Sequence, residues 1–289
     1  MKEVLAFLST EFGNLGVEIV YICLALLFLY LGKQTLDALT PFQVNDELTA
    51  KDNPAFGLSL LGYYLGIMIV FLGAIHGHSD SDEPWVQVGI DMGWVVLGIL
   101  LLNVSRVVMD RLILHKFSTR KEIIEDRNVG MGAVEFGMYV GSGLLLAGAI
   151  SGPDGHFLPA LVFFVLGQLA LIAISWLYQR ITSYDFHAEI EKDNVAAGIA
   201  FGGNCLAASV VLMKGTIGDF HSWKSDLLHF GWYFICALLL ITIGRLAICR
   251  VLVSGRTLDQ EISEDQNLNA GWLEGGLVVG LATLFHFVL

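Results

Sequence analysis

Lys192 to Gly203 read KDNVAAGIAFGG, and three other stretches follow the same plan: KDNPAFGLSLLG at 51–62, DRNVGMGAVEFG at 126–137 and DQNLNAGWLEGG at 265–276. Aligned on their asparagines (Asn53, Asn128, Asn194, Asn267), all four carry glycine at +4 (Gly57, Gly132, Gly198, Gly271) and again at +9 (Gly62, Gly137, Gly203, Gly276). Two fixed offsets kept in four copies mark an internal repeat. Each asparagine stands between an acidic stretch and an apolar run, where its side-chain oxygen suits the N-cap of a helix and the acids complement the helix dipole. At 100° per residue, +4 lies near the asparagine face and +9 almost opposite, so neighbours can approach each helix closely on two sides.

Outward from these motifs lie eight apolar runs: 17–36, 54–75, 85–108, 129–150, 158–180, 194–213, 226–249 and 268–288. Each is about the 20 residues a helix needs to cross a bilayer. With 55% apolar and 15% charged residues, little chain remains for a soluble domain. The predicted fold is an all-α polytopic membrane protein: eight spans arranged as four repeated two-helix hairpins, with the glycine-rich even-numbered spans inside and the odd-numbered ones toward lipid. Glu3 and Glu11 replace the basic region of a signal peptide, so the first run is read as a retained span.

Of the 16 Lys and Arg residues, all but Lys2, Lys214 and Lys224 fall in the connections between spans 1–2, 3–4, 5–6 and 7–8 or at the adjoining span ends. Positive short loops stay in the cytoplasm, which predicts that both termini face outward. These cations alternate with acids in a chain of net charge −12, and no nucleic-acid partner is expected. Cys23, Cys205, Cys236 and Cys249 all lie in spans and read as small apolar residues rather than a disulfide or metal set.

Successive hairpins are parallel copies, and they pair into halves at 1–151 and 157–289 related by pseudo-symmetry along the membrane normal. Arg106 precedes Glu135 by 29 residues, as Arg245 precedes Glu274, and Gly93-Trp94 corresponds to Gly231-Trp232. The IEKDNVAAGIAFGG stretch at 190–203, within a four-span unit holding two such stretches, resembles the bacterial membrane family known as domain of unknown function 350, the YjfL-like group. The chain looks like two such domains in tandem. That resemblance implies a bacterial inner-membrane location and a link to envelope-stress systems, and it brings no established activity.

Glu135 and Glu274 stand at +7, on the face of their asparagine and the +4 glycine, about two turns inside the span. The matching residues of the other copies are Leu60 and Phe201. Ionisable groups at that depth are costly and usually face a bundle interior or a water path. Two readings follow: structural ion pairs of Arg106 with Glu135 and Arg245 with Glu274, or a pair of cation or proton sites along a permeation path. Asp91 and its counterpart His229 are a weaker candidate pair. His76, His78, Asp80, Asp82 and Glu83 could hold a divalent ion, as could Asp219, His221 and Asp226, but nothing fixes a geometry; solvated polar turns are expected, with no metal and no cofactor. Trp85, Trp223 and Trp232 fit an aromatic belt. Residues 111–127 mix basic and apolar character, as an interfacial helix or a helix extension would. No nucleophile elbow, phosphate loop or zincin motif is present, and no enzymatic activity is expected. The functional expectation is an ion channel or ion-coupled transporter in the lipid bilayer, with self-association open. The alternative is a non-transporting scaffold that docks a peripheral stress-response protein on its acidic connections, where Glu189, Glu191 and Asp193 lie.

Overall fold

The computed structural model describes residues 2–77, 84–152, 157–251 and 256–288, with side chains of 2–18, 84–85 and 251 excepted. Among the described residues there is no strand. The helices are α1 (Lys2–Leu39), α2 (Pro54–His76), α3 (Pro84–Val108), α4 (Val129–Ile150), α5 (Phe157–Ile181), α6 (Phe186–Glu191), α7 (Val195–Lys214), α8 (Trp223–Val251), α9 (Leu258–Ser263) and α10 (Leu268–Val288). Eight of them are long and apolar enough to cross a membrane; the short α6 and α9 are the exceptions. The first helix starts at Lys2, well before its apolar run.

Residues 1–44 and 45–289 form two compact units. In the first, Lys33 pairs with Asp37 at 2.8 Å near the end of α1, and Asp37 also accepts the Val44 amide at 2.7 Å. These bonds secure the turn that leaves the helix.

In the second unit the asparagine-capped helices form a row. α2 packs on α4, α4 on α7 and α7 on α10, while α3, α5 and α8 lie against the seams. Glycine permits the close approach. A Cβ on Gly198 would lie 2.1 Å from the Gly130 carbonyl, and one on Gly137 would lie 2.3 Å from that of Gly202. The two glycine offsets therefore serve opposite neighbours: +9 faces the following copy and +4 the preceding one. The α4–α7 seam joins the two halves, and it is built like the seams within them.

The row has ends, and this corrects the expectation that every even-numbered span is an inner one. Within the most apolar stretch of each helix, 83% of α4 and 78% of α7 is buried, but only 28% of α10. An apolar groove of about 590 Å³ crosses the row, lined by side chains of all four helices, among them Leu58, Phe136, Ile199 and Trp272. Neither Glu135 nor Glu274 lines it.

Residues 111–127 are neither one interfacial helix nor a simple extension. α3 passes into a π-helical turn at Met109–Ile113, and a second π-helical turn spans Lys121–Glu125. A short helical turn precedes every capping asparagine: Asp46–Ala50, Lys121–Glu125, α6 and α9.

Candidate functional site

Each asparagine is held at three atoms. Its side-chain oxygen caps the helix it opens, accepting the amides of Phe56, Met131 and Ala197 in copies 1 to 3 and of Asn269 in copy 4. Its backbone amide donates to the carbonyl of a glutamate in the preceding short turn, Glu47, Glu122, Glu189 or Glu261, at 2.8–3.0 Å. Its Nδ2 donates to that same glutamate's carboxylate at 2.7–3.2 Å. The residue just before it takes the left-handed conformation in all four copies: Asp52, Arg127, Asp193 and Gln266, with φ of 48–59°. L-residues other than glycine, asparagine and aspartate rarely adopt this shape, so the Schellman-like closure over-determines it.

The second Nδ2 hydrogen reaches forward. Asn53 donates to the Ile123 carbonyl at 2.8 Å, Asn128 to Ile190 at 2.5 Å and Asn194 to Ile262 at 2.8 Å. Each acceptor belongs to the next copy, so the caps also chain the repeats together. Lys116 with Asp185 at 2.6 Å, and His187 Nε2 with the Ile113 carbonyl at 2.7 Å, reinforce the link between copies 2 and 3. Burial draws the His187 imidazole below its ordinary value against the raising effect of that carbonyl. Burial likewise pushes Glu122 up, and the Asn128 hydrogen bond opposes it.

The two intramembrane glutamates differ. Glu274 is fully buried. Its Oε1 accepts from Arg245 Nε at 3.0 Å, Tyr178 Oη at 2.9 Å and Asn204 Nδ2 at 3.1 Å, while Oε2 is buried without a hydrogen-bond partner. Arg245 also donates to the Ile181 carbonyl at 3.1 Å and to Asp259, and Asp259 accepts the Ser183 amide at 2.7 Å. Tyr178 Oη meets Tyr184 Oη at 3.0 Å, and burial pushes the Tyr184 phenol up, which keeps it neutral. This carboxylate of α10 is therefore clamped by groups from α5, α7 and α8.

Glu135 is also buried, 5% exposed, but its Oε2 is bonded to Ser59 Oγ. The expected Arg106–Glu135 contact pair is not formed. The nearest ion pair of Arg106 is Asp110 at 3.9 Å, and the two side chains are 23% and 30% exposed. Arg106 remains within electrostatic reach of Glu135, Asp110 and Tyr139. The reason lies eight residues before each cap: Asp259, which anchors Arg245 in copy 4, is replaced by Arg120 in copy 2. Without that anchor the guanidinium turns to the end of α3. Ser59, Glu135, Arg106 and Asp110 form a polar string from the row's interior toward the 109–127 connection.

Tyr178, Asn204, Asp259 and Ser59 escaped the reading of the sequence. None lies near its glutamate in the chain, and only the signal that copies pack as neighbours could have pointed to Ser59 and Asn204. Asp91 is buried and accepts from Gln87 at 2.7 Å. His229 is exposed, stacks edge-on against Tyr233 at 5.0 Å and lines a polar cavity of about 220 Å³ with Asp219, His221 and Asp226. Within that turn Asp226 accepts the backbone amides of His221 and Ser222 at 2.9 and 3.2 Å, the role of a cap. No group of three or more metal-ligating side chains occurs among the described residues. His78, Asp80, Asp82 and Glu83, and the side chain of Trp85, lie outside the described residues. Trp223 and Trp232 are 40% and 62% exposed.

Eight helices long and apolar enough to cross a membrane, four of them opened by the same asparagine cap, define a multi-pass membrane protein for the lipid bilayer. The chain belongs to the family described as Domain of Unknown Function (DUF350), whose model matches two tandem regions, 9–150 and 155–289. No curated protein and no solved structure matches it.

Proposed function

We propose that this protein moves a cation or proton across a bacterial inner membrane, as a channel or an ion-coupled transporter, with Glu135 as the exchangeable carboxylate. One observation carries the reading: Glu135 is buried in the membrane-spanning row yet, among the described residues, has no Lys or Arg nitrogen within 4 Å. A lone carboxylate in an apolar interior is costly, and such groups mark proton or ion sites. The partly exposed Arg106 and Asp110 supply a polar approach to it from the basic end of α3. Glu274, neutralised by Arg245, serves as its structural counterpart. The basic connections face the cytoplasm and both termini face the periplasm in this arrangement, following the distribution of Lys and Arg. No enzymatic reaction is assigned to the chain.

Purified protein in liposomes should support a proton or alkali-cation flux that falls about tenfold or more in Glu135→Gln, as loss of a pathway carboxylate would demand. A folded wild-type protein with no flux, or a Glu135→Gln flux equal to wild type, overturns the proposal.

The docking alternative retains one supporting observation. Asp46, Asp52, Glu125, Asp126, Glu191, Asp193, Glu264 and Asp265 remain exposed on the connections. Glu189 is not available to a partner, because it is buried and bonded to Asn194 and Lys192. Recovery of a stress-response protein on wild type but not on Glu191→Lys/Glu264→Lys, with flux absent from both, would favour docking over conduction.

A further inference from the structure

Asn204 stands ten residues past its capping asparagine, where the other copies carry Tyr63, Met138 and Leu277. It is fully buried, and both Nδ2 hydrogens are used: one goes to the Ala200 carbonyl at 2.8 Å, the other to Glu274 Oε1 at 3.1 Å. Turning the amide over would set its oxygen against two acceptors, so its partners fix its orientation. Asn204 Oδ1 is left buried without a hydrogen-bond partner. The carboxylate beside it shows the same pattern. Glu274 Oε1 takes three donors, from Arg245, Tyr178 and Asn204, and Oε2 takes none. Each carboxylate oxygen can accept about two hydrogen bonds, so this crowding is uneven for a group that serves only as an anchor. The donors of the cluster are already placed: Tyr178 on Oε1, and Arg245 on Glu274, the Ile181 carbonyl and Asp259. Two acceptor oxygens remain, on groups joined at 3.1 Å.

Charge points the same way. Arg245 sits between Glu274 and Asp259, and the three side chains are 7%, 0% and 15% exposed. Among the described residues no other Lys, Arg or His nitrogen lies within 4 Å of either carboxylate. One guanidinium neutralises one of the two, and a negative charge remains where little water reaches it. Such a charge is costly unless paired. A water molecule would satisfy the two free oxygens and leave the charge as it is. A divalent ion would overcorrect it, and no group of three or more His, Cys, Asp and Glu side chains is there to hold one among the described residues. A monovalent cation answers both needs at once. The first half has neither feature, since Tyr63 stands in place of Asn204 and Arg120 in place of Asp259.

We propose that Glu274 Oε2 and Asn204 Oδ1 bind one monovalent alkali cation, which ties α7 to α10 and supplies the counter-charge that Arg245 alone does not. Carboxylate and amide oxygens are the ligands hard cations take, and water completes the shell where the protein offers few. The ion meets the carboxylate oxygen that Arg245 does not touch, which keeps the two positive groups apart. A carboxylate held between them carries no proton. The site does not involve Glu135 and stands whether or not the protein conducts.

The test uses the full chain in detergent micelles, unfolded by heat in choline chloride while Na+, K+ or Li+ replaces choline at constant ionic strength. At least one of the three should raise the thermal midpoint saturably, by about 2 °C or more at the plateau, as a ligand confined to the folded state must. The apparent affinity should fall about tenfold or more in Asn204→Ala and in Glu274→Gln. Asp259→Asn is the milder variant, because Asp259 lies outside the spans: it removes the surplus charge and no ligand, and should weaken the response. Glu135→Gln should respond as wild type does. A midpoint indifferent to all three cations overturns the proposal, and so does one that rises only on acidification, which would assign the two oxygens to a proton. A response kept in Glu274→Gln overturns it too, and if that response is lost in Glu135→Gln the cation belongs to the path proposed above. Absence of flux with the wild-type response intact and lost in Glu274→Gln counts against conduction and supports this site.

Discussion

Glu135 and Glu274 hold the same place in the repeat, seven residues past a capping asparagine, and yet their surroundings give them different chemistry. Around Glu274 an arginine, a tyrosine and an asparagine converge on one oxygen, and the arginine is itself anchored by Asp259. Around Glu135 a serine makes the one direct bond among the described residues, while Arg106 leans toward the loop end of α3. Position in the repeat sets the depth of a carboxylate. What neighbouring copies and outer helices supply decides whether it is held by an arginine or by a hydroxyl.

The widest gap between the two sites should appear on removing their arginines. Arg245→Ala leaves Glu274 charged, buried and unpaired, and should cost about 3–5 kcal/mol in denaturant unfolding of the protein in detergent micelles. Arg106→Ala removes a partly solvated cation whose one ion pair, with Asp110, is loose at 3.9 Å, and should cost ~1 kcal/mol or less. Equal losses would mean that the two sites are alike.

The caps carry the comparison to the ends of the row. Asn128→Ala loses a cap worth about 1 kcal/mol, removes the link to the Ile190 carbonyl and leaves the Glu122 carboxylate without its side-chain donor, at about 1–3 kcal/mol more. Asn267→Ala in the monomer should cost no more than ~1 kcal/mol, because its amide reaches no further copy. Gly137→Ala against Gly276→Ala makes the same contrast in packing: the first forces a Cβ onto Gly202 and should cost about 1–3 kcal/mol, while the second enters open space and should be neutral or slightly stabilising. Thermal unfolding of the monomer reads all four variants.

The smallest effect is one of pH. Burial lowers the folded-state pKa of His187, so the folded protein favours the neutral ring. Its contribution is complete above the unfolded value of 6.5 and is lost as pH falls through that value toward the lowered one. Glu122 has the opposite sign, because its raised folded-state value favours the protonated acid and its contribution declines as pH rises through that value. Unfolding midpoints from about pH 8 to pH 5.5 should therefore fall for wild type and flatten in His187→Gln, the one-site behaviour that linkage requires.

Much of this architecture could be read before any coordinates. The aligned asparagines and glycines carry the repeat, because N-cap chemistry and helix contact leave a local imprint that survives divergence of everything between. They also implied neighbours on two sides of each helix, since +4 and +9 point opposite ways, although which offset meets the following copy came from the packing itself. The open face of α10 was not legible: Gly276 and Gly280 look no different in sequence from Gly62 and Gly66, yet among the described residues a Cβ on either would meet nothing within 4 Å. The short turns before each cap were hidden because their role is played by a left-handed residue that need not be glycine, as Asp52 and Gln266 illustrate. The inequality of the glutamates was likewise invisible. Asp259 and Arg120 align across copies, but only the direction taken by Arg106 and Arg245 makes that difference matter.

The distinction between the two carboxylates can be examined directly by their reactivity. Dicyclohexylcarbodiimide partitions into the bilayer and modifies carboxyl groups that carry a proton, and mass spectrometry of the digested protein locates the adduct. With intact protein in its native membrane, Glu135 should be modified and Glu274 should remain untouched. Labelling of Glu274 at the rate of Glu135, or of Glu274 alone, would contradict the assignment of one exchangeable and one locked carboxylate.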